Sequence, residues 1–185
     1  MTIYKKFDFP VAEARRLLEP GPVVLVSSAY KDQRNIMTLG WHMPMEFTPS
    51  LVGCVIASSN HSYAMISRSK NCVINVPTVE LARTAAKIGN CSGADTDKFK
   101  TFKLTALEPE VVAAPLIAEC YANLECILVD GRLRDKYNFF IFEVVKAHAA
   151  RTPKYPKTIH YRGDGQFMVA GPALNLRRLF RPEML

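Results

Sequence analysis

The sequence lacks any apolar run close to the roughly 20 residues that a membrane-spanning helix needs. Its first 20 residues mix charged side chains such as Lys5, Arg15 and Arg16 with apolar ones, which is not the pattern of a secretory signal. The five cysteines are odd in number and contain no C-x-x-C pair, which argues against a disulfide scaffold and a structural zinc site. We therefore expect a cytoplasmic protein with free thiols.

Familiar nucleotide and metal signatures are missing as well. The chain has no G-x-G-x-x-G and no Walker pattern, so a Rossmann or P-loop site is not predicted. Its four histidines show no metal-ligand spacing, so we predict no metal and no haem held by an axial histidine. No internal repeat and no low-complexity linker divides the chain.

What the sequence does contain is typical of one globular domain. It has 185 residues, 49% of them hydrophobic and 22% charged, and we assign residues 1–185 to a single domain. The net charge of +7 favours an anionic partner: nucleic acid, a phosphorylated cofactor or an acidic protein. The basic residues are scattered and no RNP-like segment accompanies them, so we expect no nucleic-acid partner, although a basic nucleic-acid-binding β-barrel stays open as an alternative.

The pattern of strands and breakers predicts a mainly β protein. A helix is expected over 11–18, with Asp8 as its N-cap, and further helices from the 58–62 cluster to 70 and over 79–88, capped by Thr78. Strands are expected over 23–29, 35–39, 51–57, 72–76, 121–134, 138–149 and 166–170. The 40–50 segment, which contains Pro44 and Pro49, is predicted as a loop with edge character. A mainly antiparallel barrel with peripheral helices fits best.

A polar cluster between a strand and a helix is the first candidate site. Ser58, Ser59 and Ser62 stand where a helix begins, and a helix start offers unpaired amide hydrogens to a phosphate group. The competing interpretation is that Ser59 or Asn60 merely caps the helix.

Two further elements are candidates for ligand contacts. Lys98, in a loop with Asp95 and Asp97, could form surface ion pairs or could reach an anion held at the serine cluster. Trp41, the only tryptophan, follows a strand that carries Asn35, and this pair suits a planar heteroaromatic ligand. A core or interface tryptophan is the alternative.

The cysteines give no catalytic signal. Cys54, Cys72 and Cys126 lie in apolar strand patterns typical of inert core thiols. Cys91 and Cys120 have more polar neighbours, yet no base stands beside either in the sequence.

The order of these elements resembles the flavin reductase-like family of FMN-binding split barrels, and within it the flavoredoxin branch. The resemblance covers residues 22–171. It rests on Asn35-x-x-Thr38-x-x-Trp41, Ser58-Ser59-Asn60-His61-Ser62-Tyr63, Asn71-Cys72-Val73-Ile74-Asn75-Val76-Pro77, Ser92-Gly93 with Asp97-Lys98-Phe99, and Pro115-Leu116-Ile117-x-Glu119-Cys120 leading to Asn123-Leu124-Glu125-Cys126.

The resemblance implies a Greek-key split β-barrel that binds FMN noncovalently and forms a homodimer. The first strand motif would border the isoalloxazine ring, the serine turn and Lys98 would hold the phosphate, and Asn75 would be mainly structural. The tail around His160 and Tyr161 would lie near the flavin edge or the dimer seam. The expected cofactor-binding residues are Asn35, Ile36, Met37, Thr38, Trp41, Ser58, Ser59, Asn60, His61, Ser62, Lys98, Tyr137 and Phe167.

The chain departs from the family at one place. Where relatives carry a histidine and then a glycine, this sequence has Tyr137 and Phe142, and the family histidine sits beside the flavin. The departure bears on reduction by a nicotinamide, while the phosphate-side motifs are intact.

The function that the resemblance implies is electron transfer through FMN. A reduced donor, with NAD(P)H as the candidate, would supply electrons that pass to free flavin, ferric iron or a redox protein. A flavoredoxin-type electron carrier without nicotinamide reductase activity is the alternative within the family.

Overall fold

The computed structural model describes residues 1–184, and its main feature is a large antiparallel sheet. The strands of this sheet are β1 (Lys6–Asp8), β2 (Val24–Tyr30), β3 (Gln33–Leu39), β4 (His42–Glu46), β5 (Leu51–Val55), β6 (Asn71–Val76), β9 (Ala122–Asp130) and β10 (Phe139–Ala150). Seven of them follow one another in the order β3-β2-β6-β9-β10-β5-β4, and β1 pairs with β10.

Short elements surround the sheet. Two separate two-stranded sheets pair β7 (Ala106–Leu107) with β8 (Leu116–Ile117) and β11 (Ile159–Gly163) with β12 (Gln166–Val169). The helices are α1 (Arg15–Leu18), α2 (His61–Ser69), α3 (Ala82–Gly89), α4 (Lys98–Thr101) and α5 (Arg134–Tyr137), and 3-10 turns cover Val11–Glu13, Val79–Leu81, Arg177–Leu179 and Pro182–Met184. Within residues 1–184, no helix combines the length and the apolar character that crossing a bilayer requires.

The large sheet curls on itself. Its two outermost strands, β3 and β4, are consecutive in the chain and are joined by Gly40 and Trp41 alone. Three Cα–Cα steps span at most about 11 Å, so the end of β3 and the start of β4 must lie near each other. A sheet of this many strands can bring its edges together only by closing towards a barrel.

Two apolar clusters fill the two faces of the first strands. Along β2, Val24 and Val26 pack inside the curled sheet, whereas Leu25 belongs to a second cluster outside it. The second cluster includes Ala85 and Ile88 of α3. Because successive side chains of a strand point to opposite faces, burial of both faces explains why the first three residues of β2, Val24 to Val26, are all apolar.

A buried asparagine joins the strands at the centre of the sheet. The Asn75 side chain donates to the Leu25 carbonyl oxygen over 2.9 Å and to Ser27 Oγ over 3.1 Å. Its Oδ1 accepts from the Ile117 amide over 3.1 Å and from Asn123 Nδ2 over 2.7 Å. Every one of these partners lies in the protein, so this side chain stabilises the fold and is not available to a ligand.

The mainly β character and the strands β2, β3, β5, β6, β9 and β10 match the expectations from the sequence, with bounds shifted by a few residues. The 40–50 segment is a correction, since β4 is a strand there and not a loop. Pro44 lacks an amide hydrogen, yet it pairs with Val52 because β4 is the outermost strand, where one edge of the backbone needs no partner.

Two other expectations were wrong in detail. Asp8 does not cap a helix: it ends β1, and its carboxylate lies 2.9 Å from Lys146 Nζ. The helix expected over 11–18 is therefore reduced to a 3-10 turn and α1. Thr78 makes no side-chain cap, and the helix after it starts as the 3-10 turn Val79–Leu81. The strands β11 and β12 form a hairpin, and β11 was not expected. Its apolar start is short and is followed by polar residues and Gly163, so the sequence does not have the pattern of a strand there.

Candidate functional site

Two adjoining cavities lie beside α3, and they contain most of the polar side chains singled out by the sequence. The polar cavity, about 280 Å³, is lined by Asn35, Met37, Ser59, Asn60, His61, Ser62, Cys91, Ser92, Gly93 and Lys98. The aromatic cavity, about 480 Å³, is lined by Gly21, Val23, Thr38, Gly40, Trp41, Ala85, Ala86, His160, Tyr161, Gly165 and Phe167. Gly89 and Asn90 line both, so the two cavities form one elongated site within the size range of small-molecule pockets.

Aromatic side chains form the mouth of the aromatic cavity. Trp41 is 75% exposed, which shows that it is not a core tryptophan in this chain. On the other side, the rings of Tyr161 and Phe167 lie 5.0 Å apart on the β11–β12 hairpin. Thr38 is held at the base of the cavity by a 2.6 Å hydrogen bond to the Ala85 carbonyl oxygen. Flat apolar walls of this kind suit a planar ring system.

Asn35 connects the segments that surround the polar cavity. Its Nδ2 donates to Ser62 Oγ over 2.9 Å, which ties β3 to the start of α2. A Cβ at Gly93 would lie 2.1 Å from Asn35 Oδ1, so the backbone at Gly93 rests directly on this amide. Asn35 is 2% exposed, and its buried Oδ1 finds no hydrogen-bond donor among residues 1–184. An acceptor of this kind calls for a donor from a ligand.

Lys98 brings a positive charge to the same cavity. The residue is 4% exposed, and its Nζ donates to the Ile88 carbonyl oxygen over 3.0 Å. Within the described part of the chain no carboxylate pairs with it; Asp97 instead caps α4 by accepting from the Lys100 amide. Burial lowers the pKa of Lys98 because the charged form loses solvation. The ion pairs considered for Lys98 are therefore not formed, and a buried ammonium without a counter-ion favours an anionic ligand.

The start of α2 adds amide hydrogens to this charge. Its N-cap residue, Asn60, has an extended backbone, but its side chain makes no capping hydrogen bond. The simple cap considered for Asn60 is thus absent, and the first amides of a nine-residue helix have no side-chain partner from that residue. Together with the Ser59 and Ser62 hydroxyls and Lys98, they make a donor set typical of a phosphate site.

Comparison with known proteins agrees with this geometry. Residues 15–168 match the family model described as flavin reductase like domain. The chain belongs to this family. A protein of Escherichia coli K12, YddH, is 33% identical over 85% of this chain and 91% of its own length. A protein of Archaeoglobus fulgidus is 35% identical over 62% of this chain, a match that spans 64% of the archaeal protein.

Solved structures of family members have the same fold. An FMN-binding domain of a flavin reductases-like enzyme from Shewanella baltica superimposes with a TM-score of 0.87 at 28% identity, over 95% of this chain and 99% of that one. The flavoredoxin of Desulfovibrio vulgaris gives 0.77 at 22% identity, over 84% and 89%. These likenesses confirm the predicted split barrel with peripheral helices.

The structure brings together most of the family residues expected from the sequence. Asn35, Met37, Ser59, Asn60, His61, Ser62 and Lys98 line the polar cavity, and Thr38, Trp41 and Phe167 line the aromatic one. Three expected residues line neither. The Ile36 side chain is buried in the second cluster, because it points away from Met37 on the other face of β3. Ser58 is exposed one residue before the cavity begins, and Tyr137 is exposed at the end of α5.

The position of Tyr137 has a local cause. The chain between β9 and β10 does not continue as a strand but forms α5, which ends at Asn138 in the left-handed conformation with φ of 57°. This turn directs Tyr137 away from both cavities in the single chain.

Other lining residues escaped the sequence analysis. Gly89 and Asn90 line both cavities because α3 ends there, and Cys91 follows them into the polar cavity. Gly89 and Gly93 flank this segment in the sequence and indicate a turn or a close backbone contact there. Glycine spacing alone does not reveal which strand the segment contacts.

Gly93→Ala tests the contact that closes the polar cavity. The added methyl group would collide with the Asn35 amide, so we expect the free energy of unfolding to fall by about 1–3 kcal/mol, the usual cost of overpacking. Urea denaturation measures this change. Gly171→Ala is the control, because nothing lies within 4 Å of its Cβ position. Equal stabilities of the two variants would show that Gly93 is not constrained by Asn35.

Proposed function

We propose that the chain is an FMN-dependent oxidoreductase that takes electrons from NAD(P)H and passes them to free flavin, ferric iron or a redox protein. The observation that carries this proposal is the buried, unpaired Lys98 ammonium in a donor-rich cavity that continues into an aromatic one. A molecule with a phosphate at one end and a flat ring at the other matches both halves of the site. The family membership and the FMN-binding Shewanella relative support the choice of FMN.

The residues of the two cavities would bind different parts of FMN, the phosphate in the polar cavity and the ring in the aromatic cavity. Lys98, Ser59 and Ser62 would hold the phosphate, with the amide hydrogens at the start of α2. The unpartnered Asn35 Oδ1 would accept a hydrogen bond from the cofactor's polar chain. Trp41 and Phe167 would flank the ring and keep water away from it.

FMN, when bound, supplies the redox chemistry, since it takes up a hydride and returns the electrons singly or in pairs. The protein needs no acid, base or nucleophile of its own for that transfer. Accordingly, His160 in the aromatic cavity is engaged by the fold: its Nδ1 lies 3.0 Å from the Gly21 carbonyl oxygen and its Nε2 3.1 Å from Thr158 Oγ1.

For the electron donor there are two hypotheses, NAD(P)H and a protein. Net charge of +7 favours the anionic NAD(P)H, and the exposed Trp41 leaves the aromatic cavity open to a second ring. The second hypothesis is that the chain is a flavoredoxin-type carrier, which exchanges electrons with proteins only. It is favoured by the departure at Tyr137, which lies away from both cavities.

We also propose that the working form is a homodimer. The edge strand β4 and its flanks carry four exposed large apolar side chains, here called the apolar row: Trp41, Met43, Met45 and Phe47. An exposed apolar edge strand is a surface that proteins cover, and a second copy of the chain would cover it next to the mouth of the aromatic cavity.

Lys98→Met tests the phosphate contact. Loss of a charge-assisted hydrogen bond costs about 1.5–3 kcal/mol, so we expect FMN affinity to fall by about 10- to 150-fold. Riboflavin, which lacks the phosphate, should bind the variant as it binds the original chain. Quenching of flavin fluorescence on titration gives both dissociation constants.

The matched control is Lys100→Met, because Lys100 is an exposed lysine of the same short helix. It should leave FMN affinity within about twofold, as expected for a solvated surface charge. An original chain that stays colourless after exposure to excess FMN would refute the proposed function itself.

Anaerobic rapid mixing tests the donor. The FMN-loaded chain should lose its visible flavin absorbance on mixing with NADH or NADPH faster than free FMN does, because a nicotinamide and a flavin held together react as if they were one molecule. Dithionite serves as the positive control. Bleaching by dithionite alone would decide for the carrier.

Met43→Glu tests the dimer. A charge in the middle of the apolar row should convert a dimer to a monomer, which light scattering on the FMN-loaded chain measures. Val111→Glu places the same charge on an exposed apolar residue of a distant loop and should leave the mass unchanged. A monomeric original chain would contradict this part of the proposal.

A further inference from the structure

One of the five free cysteines differs from the others in its access to ligands. Cys54, Cys72, Cys120 and Cys126 are at most 1% exposed, including Cys120, for which the sequence suggested more polar surroundings. Burial raises the pKa of Cys54 and Cys120, which keeps them as thiols. Cys91 is only half-buried and lines the polar cavity. Reagents that enter this cavity therefore meet one thiol.

Cys91 lies beside the buried cation of the polar cavity. Cys91 Sγ lies 3.7 Å from the Ile88 carbonyl oxygen, the same atom that accepts from Lys98 Nζ over 3.0 Å. The two side chains therefore meet at one carbonyl group. The Lys98 ammonium would attract an anionic reagent into the cavity that Cys91 lines.

Two independent observations point to a ligand in this cavity, one to an anionic group and one to a hydrogen-bond donor. Lys98 is buried without a carboxylate partner in the described chain, and the buried Asn35 Oδ1 points to no donor there. Cys91 thus does not stand alone on the surface but forms part of the wall of a ligand site.

We propose that Cys91 is a thiol-modification site that shares its cavity with the FMN phosphate, so that a mixed disulfide at Cys91 and bound FMN exclude each other. The modifying agent is an anionic low-molecular-weight disulfide, of which glutathione disulfide is the example. This inference rests on the proposed function, since it makes loading of the cofactor sensitive to the thiol–disulfide balance.

The reaction is an ordinary exchange. The Cys91 thiol gives its proton to solvent, and the thiolate attacks one sulfur of the disulfide. A new S–S bond joins Cys91 to that sulfur while the original S–S bond breaks. The other half leaves as a thiolate with the bonding electron pair, so Cys91 is oxidised and the reagent is reduced by the same two electrons. A dithiol reverses the reaction.

Volume and charge make the two occupants incompatible. The polar cavity measures about 280 Å³, and a peptide attached at Cys91 would occupy the space in front of Lys98. Its carboxylates would also pair with the ammonium that the phosphate requires. Either occupant therefore removes the other's place and its counter-ion.

The first experiment measures protection with 5,5′-dithiobis(2-nitrobenzoate), an anionic disulfide whose leaving thiolate is coloured. The native full chain freed of cofactor should react rapidly at about one thiol, and Cys91→Ser should abolish that phase, as expected for a single accessible thiol. FMN at about ten times its Kd should slow the reaction about tenfold, because only the empty fraction reacts. Peptide mapping identifies the labelled cysteine.

The second experiment measures FMN binding after Cys91 has been modified. Treatment with glutathione disulfide should weaken FMN binding by at least about tenfold, equivalent to about 1.4 kcal/mol, and dithiothreitol should restore it. Cys91→Ser is compared with itself before and after the treatment and should show no change. Fluorescence quenching reports binding without any assay of turnover.

The outcomes separate this inference from the proposed function. If FMN binds the chain but leaves the labelling rate unchanged, or if Cys91→Ser still loses FMN after disulfide treatment, the modification site is refuted and FMN binding stands. If FMN does not bind at all, the proposed function fails and this inference fails with it. Rapid labelling of Cys54, Cys72, Cys120 or Cys126 in the native chain would also overturn it.

Discussion

The candidate site depends on one side chain, Asn35, and on what it touches. Its amide nitrogen bonds Ser62 at the start of α2, and its carbonyl group lies against Gly93 in the segment between α3 and α4. Three parts of the chain that are distant in sequence thus meet at one amide group. Because Asn35 belongs to a strand buried on both faces, its position is set by the barrel, and the cavity takes its shape from the barrel rather than from the loops.

Lys98 shows how such a cavity acquires a binding preference. An ammonium buried without a carboxylate destabilises the free protein, and an anion that enters the cavity relieves this cost. Cys91 lines the same cavity. A phosphate and an anionic disulfide would be drawn to one place by a single buried cation, which explains why they would compete.

Much of the fold could be predicted from the sequence because β5 is an apolar run and β2, β6 and β10 are rich in apolar and β-branched residues between clear breakers. β4 could not, since Pro44 and two exposed methionines are typical of a loop until the strand's outermost place in the sheet is known. In the site, Asn35, Thr38, Trp41 and Lys98 were found through motif order. Cys91 was missed because its role comes from Ile88 and Lys98, which sequence spacing does not place beside it.

In the described part of the chain, the hairpin that carries Tyr161 and Phe167 forms a sheet of its own, and it is tied to the barrel where the Ile159 carbonyl oxygen accepts from the Val23 amide over 2.7 Å. Substitutions at its exposed residues alter the wall of the aromatic cavity while leaving the ladder of the large sheet intact. The opposite end of the site has no such freedom, because Gly93 and Asn35 are in direct contact. Ile159 and His160 hold the hairpin to the barrel, so its exposed residues are the ones that can vary and change what reaches the flavin ring while the anchor for the cofactor stays as it is.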